Sequence, residues 1–111
     1  MPDMISNLES MLASGQDNAL LRYTLGSHYL KVGDVRRAVE HLRESVRLDP
    51  GYSAAWKMYG KSLAAADELA GARDAYIEGI QAARKKGDIQ AAREMQVFLK
   101  RVQRQLDGQS S

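Results

Sequence analysis

The chain has 111 residues, of which 16 are Lys or Arg and 14 are Asp or Glu, so its formal net charge is +2. It has no Cys, which excludes a disulfide framework, a thiol nucleophile and a Cys-based zinc site. The length suits a single domain. The apolar fraction of 44% is rich in Ala and includes one Phe and one Trp, a mixture that favours close helix packing over a β-sandwich.

Charge is unevenly distributed along the chain. Residues 1–17 contain three acidic and no basic residues, whereas residues 84–111 contain seven basic and three acidic ones. The first residues lack the basic region and the continuous apolar block of a signal peptide. No apolar run approaches the ~20 residues that span a bilayer. We therefore expect a cytoplasmic protein with no membrane partner, whose acidic and basic ends could steer an approaching molecule.

Helical periodicity runs almost from end to end, and no stretch has the alternation of a strand. The first segment repeats apolar residues at the spacing of one helical face, as Met4 and Leu8 illustrate. Gly and Pro divide the rest into segments. Asp17 and Ser53 are the predicted caps of the second and fourth helices, and residues 107–111 are expected to fray. The predicted helices span residues 4–13, 18–31, 35–48, 54–66, 69–84 and 89–106.

The chain repeats its pattern after 34 residues. A shift of this length places Gly26 on Gly60 and Ala38 on Ala72, and it aligns apolar residues and short turns as well. Small residues at such positions let paired helices approach closely. A period of 34 residues in helix–turn–helix units is typical of the tetratricopeptide repeat.

The residues of both units match the consensus of that repeat. They are Leu25, Gly26, Tyr29, Ala38 and Pro50 in the first unit and Trp56, Tyr59, Gly60, Ala72 and Tyr76 in the second. Arg22 stands where the first unit would have Trp, and Arg84 stands where the second would have Pro, so the fifth helix is expected to run on toward Gly87. The chain resembles the tetratricopeptide repeat (TPR) family, as a small two-repeat protein of bacterial type.

The resemblance implies a right-handed superhelix of α-helix pairs within a single domain. The two repeats would occupy residues 19–52 and 53–86. An N-terminal helix within residues 1–17 and a capping helix over residues 88–106 would cover the open ends, because two repeats alone leave apolar faces exposed. The expected fold class is therefore all-α, with about six helices.

The sequence contains no arrangement typical of catalysis or of metal binding. His28 and His41 lie on different predicted helices without a partner four residues away, so we interpret them as solvated helix residues. Acidic residues concentrate at helix starts, where capping and the helix dipole favour them. We expect neither an enzyme nor a cofactor. The Met residues of the terminal helices are expected to fill gaps in the core; they are Met1, Met4, Met11 and Met95.

The resemblance also implies a binding surface. Members of the family bind peptides in the concave face formed by the first helix of each repeat. Here that face would be basic, since Lys57 and Lys61 are four residues apart on one helix. We expect it to bind an acidic peptide or a C-terminal carboxylate. The predicted binding residues are Tyr23, Ser27, Lys31, Lys57, Met58, Lys61, Arg93 and Lys100. If the last helix takes the third inner position, it adds Gln90, Val97 and Arg101.

One known mode of binding does not fit these residues. Family members that clamp a C-terminal carboxylate use Lys, Asn and Arg on their inner helices. The aligned positions here hold Tyr23, Ser27, Met58, Gln90 and Glu94. The sequence therefore supports a basic groove without supporting that particular clamp.

Three alternatives stay open. The lysines could merely solubilise a helix face. The basic C-terminal helix, with Arg93, Lys100 and Arg104, could bind nucleic acid or an anionic surface, although Phe98 is its only aromatic residue. The module could also associate with itself as a homodimer through an uncovered apolar edge. We favour a noncatalytic adaptor that binds an unidentified protein or peptide.

Overall fold

The computed structural model describes residues 3–110, which form six α-helices and contain no β-strand. The predicted all-α fold is confirmed. The helices are α1 (Met4–Ala13), α2 (Ala19–Lys31), α3 (Val35–Leu48), α4 (Ser53–Ala65), α5 (Leu69–Lys86) and α6 (Ile89–Ser110).

Side-chain caps fix the starts of the first three helices. The carboxylate of Asp3 accepts a hydrogen bond of 2.8 Å from the backbone N–H of Ser6, and Asn18 caps α2 in the same way. The prediction that Asp17 caps α2 is wrong, because its carboxylate instead accepts a 2.8 Å hydrogen bond from Arg22. Ser53 is also not a cap: it is the first residue of α4, and it is buried.

Backbone conformations that favour Gly mark several helix ends. Gly15, Gly33 and Gly87 adopt φ values of 96°, 86° and 75° after α1, α2 and α5. Asp67 adopts φ of 61° in the turn between α4 and α5. The turn before α4 is held differently, because the indole N–H of Trp56 donates a 2.7 Å hydrogen bond to the carbonyl of Pro50.

The last helix is longer than predicted. It continues to Ser110, so the expected end at residue 106 and the expected fraying of residues 107–110 are wrong. Leu106 packs against the core of the second half of the molecule, and Gln103 donates a 3.1 Å hydrogen bond to Asp107. These contacts offset the low helix propensity of Gly108. Ser111 lies outside the described residues.

Glycines allow the paired helices to approach closely. A Cβ atom on Gly26 would overlap the side chain of Leu42, and one on Gly60 would lie 2.5 Å from a ring carbon of Tyr76. The close approach predicted at these two positions is confirmed. A third glycine, Gly79 of α5, receives the sulfur of Met95 from α6, a contact that the 34-residue pattern did not reveal.

The core consists of two clusters of buried side chains. The first joins α1, α2 and α3 through Leu8, Leu21, Leu25, Tyr29, Ala38 and Leu42. The second joins α3, α4, α5 and α6 around Tyr76 and Met95. Met95 is fully buried there, as predicted, but Met4 and Met11 are 54% and 40% exposed and do not fill the core. Met1 lies outside the described residues.

Helices α2, α4 and α6 form a row, since α4 contacts both of the others. Helices α3 and α5 pack beside this row, each between two of its members. Helix α6 therefore takes the third position in the row, beside α4, as the predicted binding surface requires.

Candidate functional site

The row formed by α2, α4 and α6 carries all eight predicted binding residues. On α2, the ring of Tyr23 packs against that of Tyr52, with 5.0 Å between their centroids. Met58 of α4 packs against the first core cluster and so connects α4 with α2. The Oγ atom of Ser27 is buried and has no hydrogen-bond partner among residues 3–110.

Lys57 links α4 to α6. Its Nζ atom lies 3.0 Å from a carboxylate oxygen of Glu94, across 37 positions of sequence. The hydrogen bond from Lys57 and its positive charge lower the pKa of the Glu94 carboxyl, so this group stays ionised near neutral pH. Lys57 is therefore a partly neutralised contact between helices, and it contributes less to a basic surface than its sequence position suggests.

Lys61 lies one helical turn further along α4 and has a different environment. Its Nζ atom is 4.9 Å from the centroid of the Phe98 ring, and the guanidinium carbon of Arg101 is 5.6 Å from the same centroid. Both distances allow cation–π attraction. No carboxylate pairs with Lys61 or Arg101 within the part of the chain that the structure describes.

The other three cations of the predicted binding surface make no such contact with an aromatic ring of residues 3–110. Lys31, Arg93 and Lys100 are exposed on their helices, and none of them forms an ion pair with another residue between positions 3 and 110. The structure thus places Lys57 and Lys61 in contact with α6 but leaves these three as free surface charges. Two exposed apolar residues share the row with them: Leu20 is 63% exposed and Val97 is 49% exposed.

Two clefts lie between α4 and α6. One, of about 290 Å³, lies at the starts of both helices and includes Lys57 and Glu94 in its lining. The other, of about 380 Å³, lies at the end of α4. It is lined by Ala64, Tyr76, Phe98, Arg101, Val102, Arg104 and Gln105.

Tyr76 reaches this second cleft from α5. Its ring lies against Gly60 and stacks on Phe98 with 5.8 Å between centroids. Burial raises the pKa of the Tyr76 hydroxyl to about 12, an effect that the charge of Arg101 opposes. The hydroxyl is therefore a neutral donor at physiological pH. The sequence pattern identified Tyr76 only as a consensus residue of the second unit, and it predicted no cleft beside Phe98.

His41 is not a solvated helix residue, contrary to the prediction. Its side chain is only 11% exposed, and its ring stacks on Tyr29 with a centroid distance of 5.4 Å. Its Nε2 atom lies 3.3 Å from a buried carboxylate oxygen of Glu9, although that oxygen accepts no well-aligned hydrogen bond. Its Nδ1 atom lies 3.2 Å from a guanidinium nitrogen of Arg22. His41 thus joins α1, α2 and α3.

Neither metal binding nor membrane insertion finds support in the described residues. Among residues 3–110, no three His, Asp or Glu side chains come together as a metal site would require. No helix in that range is both long and apolar enough to cross a bilayer.

Comparison with known proteins agrees with the fold. The family described as tetratricopeptide repeat matches residues 23–88, more than half of the chain. The TPR repeat-containing protein PA0015 of Pseudomonas aeruginosa is 54% identical over 101 residues, which cover 91% of this chain and 96% of that protein.

Two solved structures are similar over most of their length. Protein BPP2914 from Bordetella parapertussis is 46% identical, with a TM-score of 0.80 over 95% of this chain and 91% of that one. A tetratricopeptide repeat domain protein from Salinibacter ruber is 29% identical, with a TM-score of 0.72 over 78% of this chain and 97% of that one. The chain therefore belongs to the tetratricopeptide repeat family.

Proposed function

We propose that the protein is a noncatalytic adaptor that binds an acidic segment of a partner protein along the row of α2, α4 and α6. Tetratricopeptide repeats generally mediate protein–protein interaction, and this chain has the fold of the family. The observation that supports an acidic partner is a set of cations on α4 and α6 that pair with no carboxylate of residues 3–110, namely Lys61, Arg93 and Arg101.

Exposed apolar side chains on the same row add a second kind of contact. Leu20 on α2 is 63% exposed and Val97 on α6 is 49% exposed, so both large apolar side chains contact water. A partner segment that covered them would gain from burial of apolar area. The combination favours a segment in which carboxylates alternate with aliphatic residues, since charge supplies selectivity and apolar contact supplies much of the affinity.

Lys57 has a structural part in this proposal. Its pair with Glu94 joins α4 to α6 across the row. For this reason a charge reversal at Lys57 would disturb the helix row itself. Lys61 and Arg93 are better positions at which to test the surface.

The test is capture of partners by the purified protein from a lysate of its source organism. We expect the double variant Lys61→Glu/Arg93→Glu to lose proteins that the wild type retains. The matched control, Arg84→Glu/Lys85→Glu, reverses two exposed charges at the end of α5 and should retain the same proteins. Identical capture by all three proteins would contradict the proposal, provided that circular dichroism shows the variants to be folded.

A further inference from the structure

The cleft at the end of α4 has features that packing alone does not account for. Helix α6 has 22 residues and α4 has 13, and the two lie side by side from their first turns. Because α6 is longer, its second half extends past the end of α4. An opening lies there, lined by residues of α4, α5 and α6. This opening is the cleft of about 380 Å³ that includes Ala64, Tyr76 and Phe98 in its lining.

The walls of the cleft are apolar. The Phe98 ring, the side chain of Val102 and the methyl group of Ala64 line it, and the ring of Tyr76 stacks on Phe98. Such walls favour an aliphatic or aromatic group of a ligand.

The hydroxyl group of Tyr76 is a polar group in the lining of this cleft. The residue is only 2% exposed, yet its hydroxyl forms no hydrogen bond with any residue between positions 3 and 110. Tyr29 and Tyr59, by comparison, have polar groups nearby: Arg43 donates a 3.2 Å hydrogen bond to the Tyr59 hydroxyl, and Glu9 approaches that of Tyr29. Among residues 3–110 the buried polar side-chain atoms without a partner belong to Glu9 and Ser27, so the Tyr76 hydroxyl is open to the cleft and can donate a hydrogen bond to a group that enters it.

Positive charge surrounds the same opening. Arg101 and Arg104 line the cleft, and the Nζ atom of Lys61 lies 4.9 Å from the centroid of the Phe98 ring, which also lines it. Neither arginine forms an ion pair with a carboxylate in residues 3–110, and the lining contains no acidic residue. Guanidinium groups and a phenol hydroxyl are both donors, and a carboxylate accepts hydrogen bonds from both.

We propose that this cleft binds a carboxylate attached to an aliphatic or aromatic group, with the carboxylate held by Tyr76, Arg101 and Arg104 and the apolar group against Phe98 and Val102. The inference rests on the proposed function and deepens it, because it places the strongest contact of the acidic partner segment at one end of the helix row. It also separates this contact from the cation Arg93, which does not line the cleft.

The test uses a small probe and needs no knowledge of the partner. 4-Phenylbutyrate carries a carboxylate on an apolar group, and 4-phenylbutyramide is its uncharged counterpart. Each is titrated into the ¹⁵N-labelled full chain and followed by NMR. We expect saturable shifts at the amides of Ala64, Phe98 and Arg101 with the carboxylate, and binding of the amide weaker by about tenfold, the difference that one charge-assisted contact makes.

Two variants assign the binding to this cleft. Arg101→Gln/Arg104→Gln should weaken the binding of 4-phenylbutyrate by about tenfold or more, whereas Arg84→Gln/Lys85→Gln removes the same charge elsewhere and should leave it unchanged. Tyr76→Phe keeps the ring contacts with Gly60 and Phe98. It should weaken binding about threefold to tenfold through loss of one hydrogen bond, without lowering the unfolding temperature.

The outcomes distinguish this site from the proposed function. Equal binding of acid and amide, shifts centred elsewhere, or no effect of the arginine variant would each overturn the cleft assignment. Partner capture that still depends on Lys61 and Arg93 would then leave the proposed function standing. Conversely, selective binding of the acid would support the cleft assignment. If partner capture were then unchanged in the Lys61→Glu/Arg93→Glu variant, the proposed function along the helix row would be contradicted.

Discussion

The two terminal helices, α1 and α6, are held against the rest of the molecule in different ways. At the N-terminal end, α1 buries a single side chain, Leu8, and approaches α3 through the polar contact of Glu9 with His41. At the C-terminal end, α6 buries Ala92, Met95 and Val102 against α5. One junction is small and partly polar, while the other is large and apolar. The comparison indicates that α1 is the more easily detached of the two terminal helices.

The two repeats also differ from each other at equivalent positions. Gly26 and Gly60 occupy equivalent positions, but the first receives Leu42 and the second receives Tyr76. Both side chains fill the space between paired helices. Only the tyrosine also carries a hydroxyl to the edge of a cleft, so the second repeat combines packing with a polar group available for binding. The features on which the proposed cleft depends are therefore concentrated in the C-terminal half.

The largest effect is expected from truncation at the C-terminal junction. Met95→Ala should lower the free energy of unfolding by about 3 kcal/mol, because it empties a fully buried site against Gly79. Leu8→Ala at the other junction should cost about 2 kcal/mol or less, since α1 can adjust around it. Urea denaturation of both variants measures the difference. Equal costs would contradict the asymmetry of the two ends.

A smaller effect should separate the two repeats. Gly60→Ala forces a methyl group against the rigid ring of Tyr76, which is itself stacked on Phe98, and should cost about 2 kcal/mol. Gly26→Ala meets the branch carbon of the buried Leu42, an aliphatic side chain that can shift more easily than a ring stacked on a second ring, and should cost about 1 kcal/mol. Thermal unfolding of the two variants tests which substitution lowers the stability more. A more damaging Gly26→Ala would mean that Leu42 is held more rigidly than Tyr76.

The polar junction should make the stability of the N-terminal half depend on pH. Burial lowers the pKa of His41, Arg22 lowers it further, and Glu9, Glu40 and Asp17 oppose the shift. Because the folded state binds the proton less readily than the unfolded chain, stability is fully present above the ordinary His pKa of 6.5 and declines as pH falls through the lowered value.

Hydrogen exchange at about pH 7.5 and about pH 5 measures this dependence helix by helix. We expect protection of α1 to fall at the lower pH more than protection of α6, and His41→Gln to reduce the difference. His28→Gln is the matched control and should leave the difference in protection between α1 and α6 unchanged. Uniform loss of protection across all six helices would refute a local role for His41.

The smallest effect is expected from the contact between α4 and α6. The variant Lys57→Met removes the pair with Glu94, whose side chain is 43% exposed, so the unfolding temperature should change by about 2 °C or less. Its signature should instead be local, as amide shifts around Val97 in an NMR spectrum. A large loss of stability would contradict the small contribution expected of this partly exposed pair.

Much of the fold was predictable because its signals are local. Gly and Pro positions predicted the helix bounds to within about two residues through α5, and the 34-residue period predicted the close contacts at Gly26 and Gly60. The end of α6 was not predictable in this way. Gly108 suggested a stop, but packing of Leu106 on the core keeps the helix continuous.

The site was less predictable because its contacts join distant parts of the chain. Glu94 lies 37 positions from Lys57, and nothing in the sequence near either residue predicts their pair. His41 has no partner on its own helix, and its burial depends on Glu9 and Arg22 from two other helices. The sequence predicted that the sixth helix is longer than the fourth, but it did not predict that a cleft lies beside Tyr76 where they meet α5.

Photo-crosslinking inside the cell tests whether the helix row binds a partner. A photoreactive phenylalanine analogue replaces Val97, which is 49% exposed on the row, or Ile77, which is 38% exposed on α5. We expect the Val97 position to crosslink to a partner through a segment containing Asp or Glu, and the Ile77 position not to crosslink. Crosslinks from Ile77 alone, or from neither position, would contradict partner binding by the row.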